Sequence, residues 1–257
     1  MIGVKHLVIP DVQFKEENDA GFLISIGKYI VDKKPDTIVC IGDFADMPSL
    51  SSYDVGKKIF EGRRYKADIE AVHRGMEALM GPLREYNAYA AKNHRERYKP
   101  RMVLTLGNHE DRITRATNSD PKLDGTLGIF DLKYESFGWE VIPYLQPIVI
   151  DGIAYCHYFT SGILGRPVAS ARNLVQKKHM SCTMGHVQNW EMHREVRADG
   201  TPVLGLFVGS CYEHNEDYLG PQGNTYDRGI WMKHEVQNGH YLPMYVSLKY
   251  LKARYGK

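Results

Sequence analysis

Val103-Leu104-Thr105-Leu106-Gly107-Asn108-His109-Glu110 is the stretch on which the reading of the chain turns. Four mostly apolar residues predict a short buried strand, and Gly107 turns the chain sharply at its end. The turn carries an amide oxygen, an imidazole and a carboxylate side by side. Carboxyl ends of strands are where α/β proteins collect ligand and metal chemistry. Gly-Asn-His-Glu alone is equally well an ordinary strand-to-helix turn. Two earlier strands that end in the same manner, at Pro10-Asp11-Val12-Gln13 and Gly42-Asp43-Phe44-Ala45-Asp46, tip the balance.

Upstream, Val4–Ile9 and Thr37–Ile41 read as buried strands. Between them a helix is expected over Glu16–Lys34, because Phe22, Leu23, Ile26, Tyr29 and Ile30 recur on one face. Strand, helix, strand is the right-handed crossover of a parallel sheet. Residues 47–63, rich in Ser and Gly, read as loop. Two helices follow at about 65–80 and 82–98, split at Gly81-Pro82 because proline suits a first helical turn. Together they form a helical insertion near 47–100. Downstream, Asp111–Thr117 and Leu127–Phe137 read as short helices, and Glu140–Tyr144, Pro147–Ile150 and Ile153–Tyr158 as strands. Asp151-Gly152 is a hairpin signal. A helix near Val168–His179 precedes a strand at Met180–Met184, and hairpins are expected around Asp199-Gly200 and Asn238-Gly239. Parallel crossovers first and hairpins later give an α/β chain of two packed mixed β-sheets flanked by helices. With no internal repeat or linker, residues 1–257 read as a single domain.

Of the 257 residues, 43% are hydrophobic and 25% charged, which places the chain among ordinary globular proteins. No apolar run reaches the length of a membrane span, and the N-terminus lacks the layout of a signal peptide. Cys40, Cys156, Cys182 and Cys211 form no Cys-x-x-Cys pair, so reduced, buried thiols and a cytoplasmic location are expected. Residues 57–101 hold twelve Lys/Arg against six Asp/Glu, although the whole chain carries only +2. A basic segment on a near-neutral chain hints at an anionic partner; a solvated helical face weighs more heavily.

Five strand ends carry oxygen and imidazole donors in order: Asp11 and Gln13, Asp43 and Asp46, Asn108 and His109, His157, then His186 and Gln188. Each alone has an ordinary explanation, since Asp before a helix is commonly a cap. Five in series do not. The set resembles the calcineurin-like metallophosphoesterase superfamily through Asp11-Val12-Gln13, Gly42-Asp43-Phe44-Ala45-Asp46, Gly107-Asn108-His109-Glu110, an isolated His157, and Gly185-His186-Val187-Gln188. The likeness covers roughly residues 4–190 and is greatest to small phage and bacterial phosphoesterases. Protein phosphatases of the superfamily carry Asp-Arg-Gly where this chain has Asp46-Met47-Pro48.

The resemblance implies a four-layer αββα sandwich and two adjacent divalent cations that share Asp43. One would be held by Asp11, Gln13 and Gln188, the other by Asn108, His157 and His186. Asn108 and His109 would be catalytic, with His109 off the metals, protonating or stabilising the leaving oxygen. The implied reaction is hydrolysis of a phosphate ester by a metal-activated water. Mn²⁺ is the foremost cofactor, with Mg²⁺, Fe or Zn²⁺ as options at the imidazole-bearing half. The chain departs from the pattern at positions 13 and 188, which usually carry His. An all-oxygen shell of Asp11, Asp43 and two Gln favours Mn²⁺ or Mg²⁺ over Zn²⁺. The alternative is a half that has lost its metal, leaving a one-metal enzyme or an inactive binding module.

Arg112, Arg115 and Arg166, with Arg172 and the basic segment, favour a phosphodiester and place DNA or RNA among the candidate partners. If the chain is phage-encoded, the host cytoplasm is the expected compartment. A phosphomonoesterase and a degenerate scaffold on the same fold are the other readings. His193 lies five residues beyond Gln188, on the opposite face of a regular strand. His214, Asn215 and Asp217 are read as turn residues rather than ligands, and Tyr212–Arg228 as a potential substrate flap.

Overall fold

The computed structural model describes residues 3–52, 54–215 and 227–256. Strands β1(Val4–Ile9), β2(Thr37–Cys40), β3(Arg101–Thr105) and β4(Glu140–Ile142) lie side by side and parallel. The alternation along β1 and β2 divides their side chains between two cores. Leu7, Ile9, Ile38 and Cys40 face the helices, while Val8, Val39 and Ile41 face a second sheet. Both faces being covered is the reason these strands read as unbroken apolar runs.

The second sheet contains β5(Ile148–Ile150), β6(Ile153–Cys156), β9(Ser181–Met184), β10(Trp190–Val196) and β11(Pro202–Val208), in the order β10-β11-β9-β6-β5. Its three central strands are parallel and its two edges antiparallel. β12(Gly229–Gln237) and β13(His240–Ser247) extend the first sheet antiparallel beyond β1. Helices α1(Gly21–Lys33) and α2(Tyr65–Lys92) and the C-terminal α5(Leu248–Tyr255) cover the first sheet. α4(Ala171–Lys178) covers the second, its Leu174 packing with Cys182, Met184 and Phe207. The expected arrangement of two mixed sheets flanked by helices is therefore the observed one.

Local departures have local causes. α1 begins at Gly21 rather than Glu16 because Arg74 Nη2 draws the carbonyls of Lys15, Glu16 and Asn18 onto itself (3.3, 2.6 and 3.4 Å). The helices expected on either side of Gly81-Pro82 are one continuous α2, with Pro82 in its interior. Proline there costs about 3 kcal/mol. Val72, Met76 and Leu79 before it and Leu83 after it are buried along one stripe, each contributing roughly 1.5–3 kcal/mol, so one axis is retained. α1 presses on the same point: a Cβ at Gly27 would lie 2.4 Å from the Leu79 carbonyl oxygen.

Residues 127–137 form two 3₁₀ turns, Ile129–Leu132 and Tyr134–Phe137, instead of a helix. Lys133 between them is left-handed, and Asp131 turns back to the Gly128 N–H (3.0 Å) and the Tyr65 hydroxyl (2.7 Å). The short hairpin β7(Thr160–Ser161) and β8(Arg166–Pro167), and α5, were outside the sequence expectations. The four cysteines are buried and free. Among the described residues, no helix is long and apolar enough to cross a membrane.

The basic segment does not gather into a patch at the strand ends. Arg63 pairs with Asp54 (2.8 Å), Lys66 with Glu70 (3.7 Å) and Arg101 with Glu140 (2.9 Å), while Arg84 pairs with Glu77. These pairs belong to the solvated surface of α2 and its flanks.

Candidate metal centre

The loops after β1, β2 and β3 are laced together by their backbones. Val12 and Gln13 donate to the Asp43 carbonyl (3.0 and 2.8 Å), and Phe14 donates to that of Phe44 (2.8 Å). Glu110 ties the third loop to the second. Its Oε2 accepts from the N–H groups of Asp43 (3.0 Å) and Gly107 (2.8 Å), and its Oε1 from Ala45 N–H (3.0 Å) and the Tyr134 hydroxyl (3.1 Å). The sequence placed this carboxylate beside Asn108 and His109 at the turn; the structure buries it completely as the knot of the loops. Only Gly fits at 107, since a Cβ there would lie 2.1 Å from Asp43 Oδ1 and 2.4 Å from Asp43 N.

Gln13, Asp43 and His186 are all held at left-handed φ (44°, 49° and 66°). Non-glycine residues adopt this conformation only where surroundings impose it, and such strain collects at functional sites. Gly185 sits close against Asp11, where a Cβ would come within 2.3 Å of Oδ1.

Four of the expected ligands converge. Asn108 Oδ1 is 3.0 Å from His157 Nε2 and 2.8 Å from His186 Nδ1, and His157 Nε2 is 3.3 Å from Asp43 Oδ2. The candidate ligand atoms of Asp43, His157 and His186 all lie within 4.8 Å of one another. His157 Nδ1 donates to the Ile41 carbonyl (3.0 Å), which directs Nε2 to the oxygens. A histidine oriented through its second nitrogen by a backbone carbonyl is the usual support of a metal ligand. Burial opposes charging His157, but Asp43 outweighs it and lifts the imidazole to about 9. A proton thus sits among these oxygens, where a divalent cation would serve the same electrostatic purpose. Burial likewise opposes ionisation of Asp43, yet His157 and His109 hold it well below the usual carboxylate range. His186, whose ring centroid lies 5.4 Å from that of His157, is lowered to about 4 by burial and by His157.

Asp11 and Gln188 form the other side. Asp11 is fully buried, and its oxygens accept from His186 N–H (3.2 and 3.1 Å) and from Gln188 Nε2 (3.2 Å). Burial pushes Asp11 up to about 7, with His157 opposing and Asp43 adding to the rise. Gln188 Oε1 is buried with no hydrogen-bond partner. An orphaned acceptor beside a destabilised carboxylate fits an oxygen-donor cation site. Gln13 is buried next to Asp43 through its backbone bond.

His109 stands beside the cluster. Asp46 accepts from its Nδ1 through both Oδ1 (2.9 Å) and the main-chain carbonyl (2.8 Å), and Nε2 lies 3.8 Å from Asp43 Oδ2. Burial disfavours its charge, but Asp43 outweighs burial and the pKa is raised. Asp46 is lowered to about 2: burial opposes this, and the His109 hydrogen bond prevails. Arg112 donates to the Asp46 carbonyl (2.7 Å) and toward His109 Nε2 (3.3 Å), so it braces this pair. Arg115 donates to the Asn108 carbonyl (3.0 Å) and is half exposed. Arg166 lies in the exposed β7–β8 hairpin, where no hydrogen bond or ion pair joins it to the cluster.

Asp46 as the partner of His109, and Lys15 as a partner of Asp46 (Nζ to Oδ2, 3.7 Å), escaped the sequence reading. The Gly42-Asp43-x-x-Asp46 spacing was the available signal for Asp46; Lys15 had none. His193 pairs with Glu195 (3.4 Å) on β10, away from the centre. His214 stacks on Tyr212 at 4.4 Å and meets Asn18 at 3.3 Å. Asp217 and residues 216–226 of the expected flap lie outside the described residues.

No family model matches this chain. The chain is 27% identical over 186 residues to the "Gene 54 protein" of Mycobacterium phage L5, an alignment spanning 70% of this chain and 67% of that protein.

Proposed function

We propose that this chain is a metal-dependent phosphoesterase on a calcineurin-like αββα fold. The observation that carries the reading is the convergence of Asn108 Oδ1, His157 Nε2, His186 Nδ1 and Asp43 Oδ2, with His157 oriented from behind by Ile41. Asp43, Asn108, His157 and His186 would hold one divalent ion, and Asp11, Gln13 and Gln188, again with Asp43, a second. Bound there, the cations supply Lewis acidity and neutralise phosphoryl charge.

The protein's own groups do the rest. Asp46 fixes a proton of His109 on Nδ1 and so directs Nε2 to the edge between Asp43 and Arg112, where a leaving oxygen would meet it. The Asp43 carboxylate raises the basicity of that imidazole against burial and Arg112, which favours its carrying a proton. Arg112 holds Asp46 and His109 in register, so it acts as a positioning residue rather than a free phosphate clamp.

A phosphodiester is the favoured substrate. The cations bordering the cluster are already engaged: Lys15 and Arg112 with Asp46 (both 3.7 Å), Arg115 with Asp111 (3.4 Å). Lys15, Arg112 and Arg115 would therefore add little to the charge of the metals, and a singly charged diester needs less of it than a dianionic monoester. Nucleic acid or a nucleotide would supply such an ester, in a host cytoplasm if the chain serves a phage.

Hydrolysis of bis-p-nitrophenyl phosphate with Mn²⁺ tests the reading, with p-nitrophenyl phosphate as the monoester arm. Asn108→Ala should abolish turnover, and His109→Ala should lower kcat by about 100-fold or more while metal is retained. The two glutamines favour a second reading, a binding scaffold on the same fold. Wild-type protein that holds metal but cleaves neither ester would establish it.

A further inference from the structure

The two sides of the centre are built from different donor atoms. On one, two imidazoles and an amide oxygen meet Asp43. On the other, Asp11, Gln13, Gln188 and Asp43, whose loops are joined by the Gln13–Asp43 backbone bond and the Gln188–Asp11 contact, offer only oxygen to a cation. The environment of Gln188 shows how that oxygen set is completed. Its Nε2 is 3.2 Å from Asp11 Oδ2, and its Oε1 is buried without a partner. The amide rotates by half a turn at no cost in shape, which would bring Oε1 to Asp11 at that same spacing. Two oxygens so close repel each other unless a cation lies between them. Neighbouring oxygens around an octahedral ion with bonds of about 2.1 Å stand roughly 3 Å apart. The 3.2 Å that separates Gln188 from Asp11 as a hydrogen bond is thus also close to the separation of two oxygen ligands on one hard cation.

Resting on the metallophosphoesterase reading, we propose that Asp11, Gln13, Gln188 and Asp43 form a hard-cation half-site for Mn²⁺ or Mg²⁺. It exchanges freely and binds Zn²⁺ much more weakly than its neighbour. Imidazole suits Zn²⁺, whereas carboxylate and amide oxygens suit Mg²⁺ and Mn²⁺, so the two halves fill in sequence. The imidazole half takes and keeps the first ion, and the oxygen half takes the second from solution. Changes even one layer behind the ligands shift metal affinity by roughly 10–100-fold. A change of donor atom in the ligand shell itself is expected to separate the halves by at least about tenfold.

The test uses the full chain, stripped of metal, loaded with Zn²⁺ and desalted, then titrated with Mn²⁺. Metal analysis should find one retained Zn²⁺ per chain. Electron paramagnetic resonance should then report one further Mn²⁺, whose spin-echo modulation lacks the ¹⁴N coupling of a bound imidazole. Gln188→His and Gln13→His should each introduce that coupling and raise retention of a second Zn²⁺ at least tenfold, with thermal melts verifying that each variant folds. Two Zn²⁺ retained equally by the wild type, or imidazole coupling on its added Mn²⁺, would overturn the inference and leave the phosphoesterase reading standing. A wild type that binds neither metal would overturn both.

Discussion

Glu110→Gln tests the idea that one buried carboxylate assembles the centre. Glu110 accepts four hydrogen bonds, three from backbone N–H groups and one from Tyr134, and no acceptor faces it. The ionised form alone satisfies all four donors, although burial and Asp43 raise its pKa. Glutamine replaces one oxygen with an NH₂ group. The least costly orientation aims that group at Tyr134, whose hydroxyl can rotate to accept, but the Ala45 N–H then faces a donor. One buried N–H left unpaired costs roughly 1–3 kcal/mol, and the remaining bonds lose the added strength of a charged acceptor. Relief of the buried charge offsets part of this, which leaves a loss of about 2–3 kcal/mol. For a chain of this size that lowers the melting temperature by roughly 4–12 °C. Urea melts of the chelated protein measure the stability, and metal retention after desalting reports whether Asp43 keeps its position. A loss below about 0.5 kcal/mol, the range of a neutral surface change, together with unchanged metal retention, would refute the role given to Glu110.

Gly107→Ala should abolish metal retention while Gly81→Ala, with open space at its Cβ, should not; metal analysis of the two purified variants compares them. His6 is buried neutral between Tyr155 (2.8 Å) and Asp151 (2.9 Å), and burial lowers it from 6.5 to about 4. The unfolded chain binds the extra proton between those values, so stability should fall by roughly 3 kcal/mol as pH drops from 6.5 to 4. His6→Gln should flatten that slope in urea melts across the same range. Lys233 is fully buried against the rings of Tyr155 and Tyr241 (4.5 and 4.2 Å), and burial lowers its pKa well below the usual lysine value. Between its folded pKa and the ordinary lysine value the unfolded state holds the proton, so this group makes stability rise with pH. Lys233→Met should remove that rise as pH climbs toward the ordinary lysine value, read in urea melts across that range.

The sequence by itself determined the two-sheet architecture and brought forward the residues of the candidate centre. Apolar runs such as Thr37–Ile41, each closed by a polar turn, are legible because a strand covered on both faces is near-continuously apolar. Asp11, Asp43, Asn108, His157 and His186 are legible as candidates because oxygen and imidazole donors in series at strand ends are the side chains that metal chemistry would select. Only the tertiary structure decided what depends on contacts between distant residues. The unbroken α2 follows from core packing on both sides of Pro82, a sum that no local propensity contains. The burial of Glu110 follows from N–H groups of residues 43 and 45, more than sixty positions away. The bracing role of Arg112 and the displacement of Arg166 from the centre were equally out of reach. A charged residue's type gives its charge, and the fold alone gives the direction in which that charge points.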